Sequence, residues 1–418
     1  MPVTARRILG TYVTLTLLST FASSLIWGIN TLFLLDAGLS VTRAFGANAF
    51  FTLGQVLFEV PTGVVADTLG RRASYLLGSA TLFVSTLLYL WMWHTHGPFW
   101  AWAVVSMLLG LGFTFFSGAT EAWLVDALAF AKYPGTLESA FARGQVAGGI
   151  AMLTGTVAGG AIAQATNLGV PYMLRAFMLG LTFLVALVSM HDVGFAPRRG
   201  LSVWKSTRRV LRSSLDHGFR NPPVRWLMLS SPFVGGVAIY AFYAMQPYLL
   251  ELYRRPRSYA LVGLGAAVVA GGQIVGGYLA PRLGKFFRRR TSFLLFGTVA
   301  SVASLAVVGM TSRLWVALLV LAAWATVFAA AIPIREAFLN GLIPSAERAT
   351  VLSSDNLLSS AGGVVVQPPL GRIADAWGYP MSYLVGAGIE LMALPLILLA
   401  RREKAPSDAI HERTRTGS

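Results

Sequence analysis

At 418 residues, with 55% hydrophobic and only 12% charged residues and a mean hydropathy of +0.65, the chain has too little polar surface to cover a soluble globule; such compositions belong in bilayers. A formal net charge of +16 would suit nucleic acid in a soluble chain, but here the basic residues collect in alternate loops between apolar stretches, so lipid and not nucleic acid is the expected surroundings. There are no cysteines, which removes disulfides and thiolate metal sites, and the histidines His94, His96, His191, His217 and His411 fall in loops or at span ends, so neither a metal nor a cofactor is expected.

About 20 apolar residues cross roughly 30 Å of hydrocarbon as a helix. Such stretches recur at 12–36, 45–67, 74–94, 99–123, 140–165, 172–193, 224–250, 259–281, 292–311, 314–336, 350–375 and 380–400. Twelve helices are therefore predicted, because a helix satisfies its own backbone groups in lipid, whereas a barrel would show alternating ten-residue segments. The first stretch follows Arg6 and Arg7 without a small-residue cleavage site and is expected to be retained. Arg71 and Arg72, the run from Arg198 to Arg225, Lys285 to Arg290, and Arg401, Arg402 and Lys404 all share the side of Arg6 and Arg7. The positive-inside rule then puts both termini in the cytoplasm and the chain in the cytoplasmic membrane. Arg254, Arg255 and Arg257 are the exception, read as a solvated outer loop or as an entry patch for anionic lipid or solute.

In chain order, the first polar feature is Phe58-Glu59-Val60-Pro61-Thr62-Gly63 in the second span. Glu59 lies two turns, about 12 Å at the helical rise, nearer the membrane centre than Asp67. A carboxylate there is costly and must face a cavity, take a proton or find a helix partner; coupling or cation recognition and a helix-to-helix hydrogen bond both remain open. The span ends in Gly63-Val64-Val65-Ala66-Asp67-Thr68-Leu69-Gly70-Arg71-Arg72. Gly63 and Gly70 permit close helix contact and a tight turn, a neighbouring helix N-terminus could bind Asp67, and Arg71 and Arg72 would hold Asp67 or a partner acid, for which Asp126 is the best-placed candidate. Glu121, five residues or about 7 Å deeper than Asp126, is a coupling or substrate candidate, with a structural pair to Arg143 or Lys132 as the other reading. The fifth span carries Gly155-Thr156-Val157-Ala158-Gly159-Gly160, whose small residues allow close helix approach.

Residues 194–223 form the only long polar interior stretch, dividing the chain into bundles at 1–193 and 224–400 with a tail at 401–418. Trp204, Leu211, Leu215 and Phe219 interleave with arginines at near-helical spacing, which suits either an amphipathic helix on an anionic leaflet or a plain linker. The halves echo one another. Gly277-Tyr278-Leu279-Ala280-Pro281-Arg282-Leu283-Gly284-Lys285 repeats the loop sequence in degraded form, with Pro281 in the place of Asp67. Glu336-Ala337-Phe338-Leu339 answers Glu121-Ala122-Trp123-Leu124, and Gly371-Arg372-Ile373-Ala374 answers Gly160-Ala161-Ile162-Ala163, with Tyr172 and Tyr383 following at equal distance. Two similar six-helix bundles are expected. Arg335 stands beside Glu336 and would neutralise it, and Glu390 is a further acid inside the twelfth span.

The loop decapeptide, its echo and Arg348-Ala349-Thr350 resemble the major facilitator superfamily, from about residue 12 to residue 400. The resemblance implies an all-α integral membrane protein whose two six-helix bundles rock about a midplane cavity. It also implies that the network of Asp67, Arg71, Arg72 and Asp126 locks an outward-facing state and breaks when the inside opens. The fifth-span glycines resemble the drug exporters' Gly-Pro-x-x-Gly-Gly signature, with Thr156 for the proline. The fourth span, Leu108-Leu109-Gly110-Leu111-Gly112-Phe113, lacks the arginine of the exporters' other signature, which moves attention to Glu59 and Glu121. The peripheral place of the twelfth span in that superfamily demotes Glu390.

Aromatic residues such as Trp27, Phe113 and Tyr243 in cavity-side spans suit amphipathic or cationic organic molecules, with lipid-facing or packing rings as the commoner alternative reading. No phosphate-binding Gly-x-x-x-x-Gly-Lys loop and no catalytic spacing rises above chance, so an enzyme is not expected. The reading is a monomeric, proton-coupled secondary transporter that exports small hydrophobic or amphipathic molecules. The rivals are an importer or exchanger of a polar metabolite and a non-transporting membrane sensor or enzyme.

Overall fold

The computed structural model describes residues 4–195, 197, 202–255, 257–344 and 347–410; Arg198, Arg199 and His411 lie outside them. Among the described residues, eleven helical stretches are long and apolar enough to cross a membrane. The last, Thr350–Arg402, has 53 residues, over twice what one crossing needs. Gly378 interrupts it at φ 83° and ψ 166°, a backbone shape that glycine adopts without strain. It therefore makes two crossings, giving twelve.

We number these as spans 1 to 12. The first unit's spans are Ala5–Trp27 with Asn30–Asp36, Val41–Leu69, Arg71–Thr95, Phe99–Phe116 with Ala119–Phe130, Leu137–Ala165 and Gly169–Ser189. Spans 7 to 10 are Pro222–Tyr253, Tyr259–Gly284, Arg290–Met310 and Leu314–Asn340, and Arg348–Leu391 with Ala393–Arg402 supply spans 11 and 12. The apolar pattern predicted spans 1 and 4 as unbroken, and both are interrupted. Span 1 breaks at Gly28-Ile29, where Ile29 takes φ −130°. Span 4 breaks at Ser117-Gly118, where Gly118 takes φ 67°. Hydropathy does not register such breaks because the residues stay apolar or small across them. Val203–Ser213 between the halves is a helix with Trp204 exposed.

Contacts divide the chain into two compact units. One contains Met1–Thr207 with Met245–Ala267, the other Arg208–Ala244 with Val268–Ser418. The end of span 7 and the start of span 8 thus belong to the first unit: Gln246 donates to the Trp27 carbonyl at 2.7 Å and accepts from the Thr31 N–H at 2.8 Å. The core of the first unit is aromatic, with Phe33 stacked on Tyr172 at 3.9 Å between centroids and flanked by Tyr89, Trp93 and Trp102. That of the second gathers Val224, Phe293, Ala330, Phe338 and Ile397. Lipid tails remove the hydrophobic drive between helices, so packing depends on close backbone approach at small residues. A Cβ at Gly110 would lie 2.3 Å from the Phe51 carbonyl oxygen, and one at Gly276 would lie 2.1 Å from that of Thr326. These glycines bind span 4 to span 2 and span 8 to span 10.

Candidate functional site

The loop between spans 2 and 3 of the first unit is built around Gly70, whose φ of 110° makes the turn. The turn brings Arg71 back to Asp67, one helical turn earlier, with 2.8 Å between Nη2 and Oδ1. Phe195 lies 5.9 Å beneath the Arg71 guanidinium. Arg72 points elsewhere: its Nη2 donates to the Leu187 carbonyl at 2.6 Å, and its backbone N–H donates to Asp192 Oδ1 at 2.9 Å. Asp192 therefore occupies the N-terminal end of span 3, where unpaired N–H groups and the helix dipole favour an anion. A Cβ at Gly70 would sit 2.2 Å from Asp192 Oδ2, so glycine is required there for the acid to approach.

Three sequence expectations change here. The acid at the helix N-terminus beside the loop is Asp192, three residues past span 6, and not Asp67. Asp126 forms no ion pair among the described residues, because the arginines are already engaged by Asp67, Asp192 and the Leu187 carbonyl. Gly63 does not mediate close contact, since a Cβ there would meet nothing within 4 Å.

Deeper in the same unit, Glu59 is half-buried and accepts the Ser117 hydroxyl at 2.8 Å. The break at Gly118 presents Ser117 to it. Glu121 is exposed, close to Tyr12 and Tyr75, and forms no ion pair with Arg143 or Lys132 among the described residues. Facing an ionised carboxylate into lipid is costly, so each of these two acids calls for water, a proton or a helix partner. Span 6 adds Arg175, buried, with its Nε donating to Thr86 Oγ1 at 3.1 Å and its guanidinium 5.8 Å from the Phe113 ring.

In the second unit, Arg335 turns away from Glu336 and grips Asp355 with both Nε and Nη2 at 2.8 Å. The same guanidinium donates to the Leu227 carbonyl at 2.6 Å and to the Ser230 and Ser231 hydroxyls. Spans 7, 10 and 11 are thereby tied together. Glu336, expected to be neutralised by its neighbour, is exposed and forms no ion pair among the described residues, because adjacent helical residues point about 100° apart. A cavity of about 190 Å³ lies against this clamp, with Glu390 among its lining residues. At the start of span 9, Asp408 accepts the Thr291 N–H at 2.8 Å and the Thr291 hydroxyl at 2.9 Å, while Arg290 holds the carbonyls of Ser407 and Ala409.

Asp192, Arg175, Asp355 and Asp408 were not anticipated. For Arg175 and Asp355 a signal existed, a lone charge inside an apolar span. Asp192 and Asp408 offer only the weaker one of an acid shortly after the last span of each half. Among the described residues no group of three side chains could hold a metal ion.

The family model of the Major Facilitator Superfamily matches residues 12–366. Among solved structures, the nucleoside transporter NupG superposes with a TM-score of 0.80 at 12% identity, covering 94% of this chain and 99% of that one. A bacterial homologue of the human lysosomal transporter Spinster gives 0.72 at 15% identity, covering 97% and 98%. A D-xylose-proton symporter gives 0.69 at 16%, covering 94% and 96%. At these identities the likeness establishes the fold alone. No match was found among curated protein sequences.

Proposed function

This chain belongs to the Major Facilitator Superfamily, and we propose that it is a proton-coupled exporter of small hydrophobic or amphipathic molecules, cations above all, working by alternating access. The observation that carries this reading is the difference in charge pairing. Glu59 and Glu121 form no ion pair among the described residues, whereas Arg335 of the second unit is neutralised by Asp355. The uncompensated charge at these span positions is acidic, which attracts protons and organic cations and repels anions. A carboxylate that exchanges a proton for a cationic cargo couples the two fluxes. Aromatic rings of spans 2 to 4, Phe51, Phe113 and Phe116 among them, supply apolar area and cation–π surface. The D-xylose-proton symporter among the similar folds supports proton coupling as compatible with this architecture. Insertion in the cytoplasmic membrane as a monomer with both termini inside belongs to the same proposal and rests on the loop arginines.

A second reading, uptake or exchange of a polar metabolite, is favoured by the nucleoside, peptide and sugar transporters among the similar folds. The two are separated in producing cells loaded with a fluorescent cationic dye. Collapse of the proton gradient raises dye accumulation for an exporter and lowers it for an importer. Glu59→Gln is expected to abolish gradient-driven flux with expression retained; wild-type flux and pH dependence in that variant would reject the role of Glu59.

A further inference from the structure

Glu390 sits midway along span 12 and is 1% exposed. Ser301 of span 9 lines the same cavity as Glu390, and the Trp324 indole N–H of span 10 donates to Ser301 Oγ at 2.9 Å. One carboxyl oxygen of Glu390, Oε2, has no hydrogen-bond partner. Arg335 lies eleven residues beyond Trp324 on span 10, about 16 Å along the helix, and is already committed to Asp355. Glu390 thus has no counter-charge. An ionised carboxylate with a bare oxygen in a membrane interior carries the full cost of lost hydration. A bound proton removes that cost.

The 190 Å³ cavity supplies the route. Ser301 and Glu390 line it, as do Arg335 and Asp355, and its exposed lining residues are Ile332, Glu336 and Asn356. Its mouth is therefore polar. At a liquid share of roughly 30 Å³ per molecule such a space has room for about six waters. Spans 7, 9 and 12 bring no other charged group into its wall; span 10 brings Arg335 and Glu336, and span 11 brings Asp355. The Arg335–Asp355 pair leaves little net charge between mouth and acid, so a proton passing inward meets no fixed cation without its partner.

We propose that Glu390 is a proton-binding site of the second unit, loaded through this cavity from a mouth at Glu336 and steadied by the Ser301–Trp324 relay. The inference rests on the proton-coupled reading for its role in transport, though not for its existence. It gives the exporter one proton site in each unit, with Glu59 in the first and Glu390 in the second. Because Glu390 is packed among spans 9, 10 and 12, its protonation state is sensed by the packing of the second unit.

Infrared difference spectra of the full chain reconstituted in liposomes, taken between acid and alkaline pH, test the site without knowledge of the cargo. A carbonyl stretch of a protonated buried carboxyl is expected, absent in Glu390→Gln and displaced in Ser301→Ala, which keeps the acid and guards against misfolding of the first variant. A band unchanged in both variants overturns the proposal. In the same liposomes, dye flux driven by an imposed proton gradient should lose its pH dependence in Glu390→Gln. Gradient-driven flux identical to wild type in that variant overturns the coupling role. Absence of such flux in the wild type, with the band present and lost in Glu390→Gln, sinks the transport reading and leaves the proton site standing.

Discussion

In the first unit Asp192 accepts the Arg72 backbone N–H and closes the start of span 3; in the second unit Asp408 does the same for Thr291 at the start of span 9. Both acids follow the last span of their half, and each ties the far end of its half to the helix that opens after a basic loop. The loops themselves have diverged. The first keeps the Asp67–Arg71 pair across a glycine turn, whereas the second has Pro281 in the place of the acid and relies on Arg290 gripping the chain after span 12. The charges inside the spans have diverged further. The first unit holds a buried cation, Arg175, and half-open acids; the second holds a neutralised pair and one acid, Glu390, fully enclosed. Unsatisfied N–H groups at a helix start demand an acceptor in every copy of the fold, so the cap persists. Ionisable groups inside the spans answer only to function and local pairing, so they are free to differ.

The largest expected effect separates the paired charge of the second unit from the loop pair of the first. Asp355→Ala leaves Arg335 buried and uncompensated, with an expected loss of about 3–5 kcal/mol, measured as thermal unfolding in detergent. Replacing both partners, Arg335→Met with Asp355→Leu, should recover most of it. A double variant as unstable as the single would show that the pair is not a self-contained clamp.

Glycines sharpen the contrast next. A Cβ at Gly159 would come 1.9 Å from the Leu25 carbonyl, so Gly159→Ala is expected to cost about 1–3 kcal/mol through overpacking of spans 1 and 5. Gly63→Ala, with open space around it, should be neutral or stabilising by up to about 1 kcal/mol. Equal melting temperatures for the two variants would contradict the packing assigned to span 5.

The caps come third. Asp408→Ala and Asp192→Ala should each cost about 1–2 kcal/mol, with Asp408 at the upper end because its buried carboxylate also takes the Thr291 hydroxyl. A cost confined to one of them would break the equivalence of the two halves.

Asp67→Asn is expected to have the smallest effect on stability, about 0.2–1 kcal/mol for a partly exposed pair, yet to slow substrate turnover with affinity retained. Unchanged turnover in reconstituted protein would remove the gate from this loop.

The twelve crossings, the basic loops and the duplication were legible in the chain, since length, apolarity and charge placement act residue by residue and need no partner. So were Asp67 and Arg71, which are one turn apart and meet through local geometry alone. Asp126 and Arg335 show where that reading runs out. Asp126 looked the natural partner by depth in the membrane, but Arg71 is taken by Asp67 and the Arg72 guanidinium by the Leu187 carbonyl. Arg335 looked paired with its neighbour, but neighbours on a helix diverge and its partner lies one span further on, at Asp355. Glu390 was set aside because the twelfth span is peripheral in the family. Its side chain nevertheless lines an internal cavity together with Ser301. By itself the sequence determined that this is a membrane-spanning helical protein with a charged loop between its second and third spans, because those properties follow from transfer energies summed along the chain. Which charges meet, which helices break, and which acid is enclosed without a counter-charge depend on how helix faces rotate against one another, and only the tertiary structure decided them.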